Sequence, residues 1–273
     1  DPWYARGYIN YYYYGFVILG MPVKLLGLIP SIAYTIVLPL WYSLLVIGAY
    51  SVGWNITRAI ITAREGQSAP ELGHIFGKPF AAGLCTAMLL AFVGNLGTVK
   101  LLNQTLQVMG ASGAAIDGAT IVSKLTWMIK GFGQLLKGTP MPLYPGDWYW
   151  FPSRVIPGDP ITEFPYFTFI YADLHAHLIA LPIAIFAVAW GLSALLSKCS
   201  WGVGRVGRWL GFALNFFIGA LVVGALKPTN TWDYYTFLLL NRFVLGYCGW
   251  KYLPPAKFVR RKWLARALPA VGM

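Results

Sequence analysis

Between Lys24 and Arg58 the chain reads LLGLIPSIAYTIVLPLWYSLLVIGAYSVGWNIT, residues 25–57, without one charged side chain. A helix needs about 20 apolar residues to cross the hydrocarbon core of a bilayer. In lipid the backbone must satisfy its own hydrogen bonds, which a helix does within a single segment. The stretch therefore predicts a membrane-spanning helix over residues 31–56. Pro30 sits where a helix start tolerates proline, because the first N–H groups have no partner within the helix.

The same pattern recurs along the chain. Residues 79–99 are free of charge between Lys78 and Lys100, residues 178–197 between His177 and Lys198, and residues 209–226 between Arg208 and Lys227. A fifth segment, 234–250, is apolar but interrupted by Asn241 and Arg242. Residues 11–28 are apolar and carry Lys24, which suits either a span or a juxtamembrane helix. Composition agrees with a lipid environment. Charged residues are 11% of 273, against about 25% in soluble domains, and mean hydropathy is +0.59. The 12 Trp, 17 Tyr and 16 Phe fit aromatic belts at the two interfaces. These features exclude a soluble enzyme, a nucleic-acid binder and a small secreted domain. The expected fold class is an all-α integral membrane protein, a polytopic helical bundle with juxtamembrane amphipathic helices. It is expected to form one domain over 1–250, followed by a basic cytoplasmic tail, 251–273.

The net charge of +12 gains its meaning from position. Arg58, Arg64 and Lys78 lie between the first two spans. Lys198, Arg205 and Arg208 fill a short loop, and Lys251, Lys257, Arg260, Arg261, Lys262 and Arg266 crowd the C-terminal segment. Cytoplasmic loops are enriched in Lys and Arg, so these three segments are expected inside. The opposite, outer side then holds the N-terminal segment, an outer loop over 100–177 and the turn 227–233. Seven of the nine acids (Asp1, Asp117, Asp147, Asp159, Glu163, Asp173 and Asp233) fall outside, with His175 and His177. Part of this sorting is the default consequence of basic residues staying inside.

Within the outer stretch, Ile121, Leu125, Met128, Ile129, Phe132 and Leu136 recur at helical spacing among Lys124, Lys130 and Lys137. This predicts an amphipathic helix lying on the membrane. The cysteines Cys85, Cys199 and Cys248 form no CxxC pair and are odd in number, which predicts small buried apolar residues. The chain opens on Asp1-Pro2-Trp3 with no initiator Met and no basic leader, and reads as a piece of a longer protein cut within a loop.

Three constellations carry candidate chemistry. Tyr11-Tyr12-Tyr13-Tyr14 beside an apolar helix reads as an interfacial belt, or as a platform on which a sugar ring or lipid headgroup stacks. Glu163 and the run Asp173-Leu174-His175-Ala176-His177 precede a span. Asp173 and His177, four apart, share a face if helical. Ionisable groups at a membrane are costly and so point to function. This cluster suits metal binding, acid–base work or gripping a phosphate, against a bland reading as a hydrogen-bonded cap on the helix start. Lys227-Pro228-Thr229-Asn230-Thr231-Trp232-Asp233 is either a turn with an N-cap or an anion site, and Arg154 is a second candidate anion clamp.

Asp1-Pro2-Trp3, the run Gly7 to Gly15, Ser153-Arg154-Val155-Ile156, Ile161 to Pro165, Asp173-Leu174-His175-x-His177 and Thr229 to Asp233 stand in an order that resembles the YYY-domain membrane proteins, a family of unknown function. The resemblance covers roughly residues 1–239, and Ala176 stands where that family usually has proline. The family is in turn similar to the C-type, polyprenyl-phosphate-dependent glycosyltransferases. In those enzymes an aromatic stretch, a short juxtamembrane helix ending near Lys-Leu-x-Gly and a span follow one another. Tyr11 to Tyr14, Lys24 to Gly27 and Ser31 onward keep that order. The resemblance implies a glycosyltransferase-C-like fold in the plasma membrane and sugar transfer from a polyprenyl-phosphate sugar at the outer face. It implies Asp1, Asp173 and His175 as catalytic residues. Tyr12, Tyr13, Arg154, Glu163, Lys227, Asn230 and Asp233 would bind substrate. A divalent metal would sit on Asp173, His175 and His177. The competing expectation is a transporter or scaffold without chemistry, whose polar cluster is a gate or a structural network.

Overall fold

The computed structural model describes residues 7, 11–65, 76–158, 160–201 and 204–252. Among them there is no strand. Ten α-helices are joined by one π-helical and one 3₁₀ turn. They run as α1 Tyr14–Leu25, α2 Pro30–Glu65, α3 Lys78–Ala87 continued by a π turn Met88–Val93, α4 Leu96–Ala111 and α5 Ile121–Leu136. After these come α6 Asp147–Trp150 with the 3₁₀ turn Phe151–Arg154, α7 Pro165–Tyr171, α8 Ala176–Leu196, α9 Gly204–Thr229 and α10 Thr231–Tyr252. Where the sequence suggests one domain, the chain packs as two compact units. One comprises residues 1–87 with 173–273, the other residues 88–172. The basic tail beyond Tyr252 lies outside the described residues.

Three helices are long and apolar enough to cross a bilayer: Pro30–Arg64, Ala176–Leu196 and Val206–Thr229. A fourth arises if the broken pair Lys78–Val93 and Leu96–Ala111 counts as one span. Helix α2 has 36 residues and is therefore about 54 Å long, well beyond a hydrocarbon core of about 30 Å. Its second half carries Arg58 and Arg64 past the apolar stretch. Helix α10 replaces the expected span 234–250. It is 22 residues long, but Asp233, Asn241, Arg242 and Lys251 keep it from being apolar enough by itself.

In the first unit α8 is central, packed by α2, α9 and α10, with α3 on α2. Its buried positions include Ala180, Ala184, Ala187, Gly191 and Ala194, spaced three and four apart. Small residues at that spacing let neighbouring helices approach, which is how helices associate where lipid removes the hydrophobic drive. Val222, Val223 and Leu226 of α9 close on Ala180, Ala184 and Ala187, with Tyr234, Phe237 and Leu238 of α10 alongside. Polar groups are paired across the helices. Trp41 Nε1 donates to the Ile179 carbonyl at 2.9 Å, and Trp190 Nε1 to the Asn215 carbonyl at 2.8 Å. Asn241 is buried on α10, its Nδ2 donating to the Phe237 carbonyl at 2.9 Å, in room left by Gly191.

The run expected to span over 79–99 does not continue as one helix. The π turn ends at Val93, and Gly94, with φ +63°, breaks the helix. Asn95 then caps α4: its Oδ1 accepts from Gly97 N at 2.8 Å and its Nδ2 donates to the Pro152 carbonyl at 2.9 Å. The absence of charge could not reveal this break. The stretch 100–177, expected as an outer loop, therefore opens inside a helix and holds α5, α6 and α7 as well. In the second unit α4 and α5 pair so closely that a Cβ on Gly110 would overlap the Trp127 carbonyl, and one on Gly131 the Leu106 carbonyl. Ile121, Ile129 and Leu136 of α5 remain exposed as an apolar ridge.

Candidate functional site

The expected cluster at Asp173 is built by a helix end and a helix start. Helix α7 stops at Tyr171 because Ala172 takes a left-handed conformation, φ +59°. Helix α8 begins only at Ala176, with His175 in extended conformation before it. Asp173 thus precedes the helix and does not share a helical face with His177, since the i, i+4 geometry needs continuous helix between them. Nor does Asp173 cap α8, whose N-cap position, His175, makes no side-chain capping bond.

The Asp173 main chain grips His175 instead. The Asp173 carbonyl accepts from His175 N at 2.9 Å and lies 2.7 Å from His175 Nδ1. A carbonyl only accepts, so Nδ1 is the ring nitrogen that carries a proton in this contact. The Asp173 carboxylate stands 3.7 Å from Nδ1, with an exposed side chain, while the imidazole is mostly covered at 22% exposure. His177 lies one ring further on, its centroid 6.1 Å from that of His175. Among the described residues no group of three His, Cys, Asp or Glu is arranged to hold a metal ion. The trio Asp173, His175 and His177 does not fit the expected metal.

Lys227, Asn230 and Asp233 occupy the corner from α9 into α10. Asn230 Nδ2 donates to Asp233 Oδ2 at 2.9 Å, and Asp233 N to the Asn230 carbonyl at 3.2 Å. Asp233 lies in the first turn of α10, where the helix dipole favours a carboxylate. The turn-and-cap reading therefore describes the Asn230–Asp233 pair. Lys227 is exposed, its Nζ 5.7 Å from the Tyr234 ring centre. This corner and the Asp173–His175 step belong to the same end of the first unit. The start of α8, the end of α9 and the start of α10 share one core cluster, in which Ala180, Ala184 and Ala187 pack with Val222, Val223 and Leu226, and Tyr234 lies against it. Tyr34 joins them from α2, its hydroxyl accepting from Leu174 N at 3.3 Å. Helix α1 approaches this end as well, Gly15 lying against the Ile179 side chain. Just ahead of α1, the Tyr11 and Tyr12 rings meet edge to face at 5.5 Å, and Tyr13 is exposed. Tyr34 was not singled out by sequence, since a lone tyrosine in an apolar run reads as belt.

Two candidates belong to the second unit. Arg154 is held by its own turn. Its Nη1 donates to Ser153 Oγ at 2.8 Å and its guanidinium covers the Trp150 ring at 4.1 Å. Glu163 Oε2 accepts from Thr168 Oγ1 at 3.1 Å. Asp1 lies outside the described residues. The cysteines divide: Cys199 and Cys248 are buried as expected, whereas Cys85 is exposed on α3.

Long apolar helices around a small-residue seam, with polar groups gathered where they end, define an integral membrane protein of the helical, multi-spanning class. Over residues 1–271 the chain matches the model of a family described as uncharacterized membrane protein (DUF2298), and it belongs to that family. No curated protein and no solved structure matches it.

Proposed function

We propose that this protein transfers a sugar from a polyprenyl-phosphate donor to an acceptor hydroxyl at the outer face of the plasma membrane. The observation that carries the reading is the imidazole of His175, fixed by Asp173, at the same end of the spanning bundle as Lys227, Asn230 and Asp233. The resemblance to the YYY-domain proteins and through them to C-type glycosyltransferases supports it. The distribution of Lys and Arg supports placing that end outside.

In this reading the acceptor oxygen attacks the anomeric carbon while the bond from that carbon to the phosphate oxygen breaks. The polyprenyl phosphate leaves with the bonding electron pair. His175 Nε2 takes the acceptor's proton, because the Asp173 carbonyl occupies the other ring nitrogen. Negative charge grows on the departing phosphate, and the cation of Lys227 stabilises it more in the transition state than in the ground state. Tyr12 and Tyr13 offer ring faces to the sugar. Asp1 is a further acid for positioning the acceptor. No step requires a metal.

The test is purified protein in detergent with a set of radiolabelled polyprenyl-phosphate sugars, and a melting curve for each variant. His175→Ala is expected to lower turnover by about 10²–10³-fold with unchanged melting, and Asp173→Asn far less, because the main-chain carbonyl that holds Nδ1 is retained. Full activity in His175→Ala removes this imidazole from the chemistry. Turnover of no donor by the wild-type protein favours the transporter or scaffold reading.

A further inference from the structure

At the opposite end of α8 and α10 from the Asp173 cluster lies a groove of about 590 Å³. Its walls are Leu195 and Leu196 of α8 and Leu240, Phe243 and Val244 of α10. Lys198, Tyr247 and Tyr252 close its end. The polar closure is ordered. Lys251 Nζ donates to the Tyr247 hydroxyl at 2.7 Å and stands 5.2 Å and 5.4 Å from the Tyr247 and Tyr252 ring centres. Lys198 follows the end of α8 in left-handed conformation, φ +54°, and is exposed beside the same tyrosines. None of these residues belongs to the cluster assigned to sugar transfer.

We infer that this groove is a binding site for one anionic phospholipid, an acyl chain lying along Leu195, Leu240, Phe243 and Val244 and the phosphate between Lys198 and Lys251. Charge complementarity selects the occupant. Lys198, just past the end of α8, lines the groove, Lys251 in the last turn of α10 sits on the tyrosines that close it, and α10 carries no acid after Asp233. The tyrosine hydroxyls supply hydrogen bonds at the depth where a headgroup meets hydrocarbon, the level favoured by interfacial tyrosines. Tyr247 and Tyr252 hold Lys251 near its final place, so little of its side-chain freedom remains to be lost on binding. The α10 side of the groove runs about three turns, apolar from Leu240 to Val244 and hydroxyl-tipped at Tyr247 and Tyr252, which fits an acyl chain below a headgroup rather than a soluble anion. Basic pockets at the ends of membrane helices bind anionic headgroups on the same principle.

Native mass spectrometry of the whole chain in detergent tests this. The probes are dioleoyl phosphatidylglycerol, dioleoyl phosphatidylcholine and glycerol 3-phosphate, and a melting curve controls for folding. One phosphatidylglycerol per chain is expected to be retained in preference to phosphatidylcholine, with glycerol 3-phosphate not retained. Lys198→Gln and Lys251→Gln are each expected to weaken retention about fivefold, and the double variant about 25-fold, at unchanged melting. Equal retention of the two lipids, or a double variant that keeps the preference, overturns the inference. Retention of glycerol 3-phosphate as tight as that of the lipid also overturns it, by making the site one for free phosphate.

Discussion

Cys199 sits in the turn after α8 with a left-handed backbone, φ +53°, and little of its surface free. Burial, and next to it the neighbouring Cys248 thiol, push the Cys199 thiol from an ordinary 9.0 up to about 12. At pH 8 such a rise lowers the thiolate fraction by about 10³, and the stronger nucleophilicity of the rarer thiolate restores about 20-fold. Cys199 is therefore expected to react with iodoacetamide about 50-fold more slowly in the native protein than in sodium dodecyl sulfate. Peptide mass spectrometry after timed alkylation measures this, and equal rates in the two states would refute the burial argument. The residue types of the candidate site were legible in sequence: an acid, two imidazoles, a lysine and a carboxamide next to spans. Their pairing was not. The i, i+4 relation of Asp173 and His177 presumed helix where Ala172 turns left-handed, and nothing about an alanine announces a positive φ. The carbonyl grip on His175 is a main-chain contact that side-chain spacing does not encode.

Helix α5 offers a test of packing within a single element. A Cβ at Gly131 would overlap the Leu106 carbonyl of α4, whereas one at Gly133 meets nothing within 4 Å. Gly131→Ala is expected to destabilise the α4–α5 pair by about 1–3 kcal/mol through overpacking. Gly133→Ala is expected to stabilise it by about 0.5–1 kcal/mol, as alanine for glycine does within a helix. Opposite shifts in the midpoint of denaturation in mixed detergent would carry both statements; a shift of the same sign in both would contradict the close approach. On α8, Ala187 is 0% exposed within the seam against α9 and α10. Ala187→Leu is expected to cost about 1–3 kcal/mol, read the same way, and a neutral result would mean the seam is loose. Elements with a strong period were the most legible: the ridge from Ile121 to Leu136 marks α5, and charge-free runs mark α2, α8 and α9. The break at Gly94-Asn95 was hidden inside one such run. Apolarity reports how well a segment dissolves in lipid, while continuity of the helix depends on a glycine's φ and an asparagine's cap.

At the scale of the whole molecule, two properties follow from sequence composition alone: lipid as solvent, and helices as the means of crossing it. The division into two units was not legible, because no linker of distinctive composition marks Ala87–Met88 or Ala172–Asp173. Tertiary contacts draw that boundary, where α3 passes into the π turn and at the left-handed turn of Ala172. The central claim is that the bundle spans the membrane with its Asp173–His175 end outward and its Lys198 end inward. Helix α8, 21 residues long and the most apolar of the candidate spans, joins these two ends directly. The most direct measurement is labelling of intact cells with a membrane-impermeant maleimide, in a background with Cys85, Cys199 and Cys248 replaced by serine. The account predicts that Asp173→Cys is labelled from outside, and that Lys198→Cys is labelled only after the membrane is permeabilised. Labelling of Lys198→Cys in intact cells, with Asp173→Cys protected until permeabilisation, would contradict it.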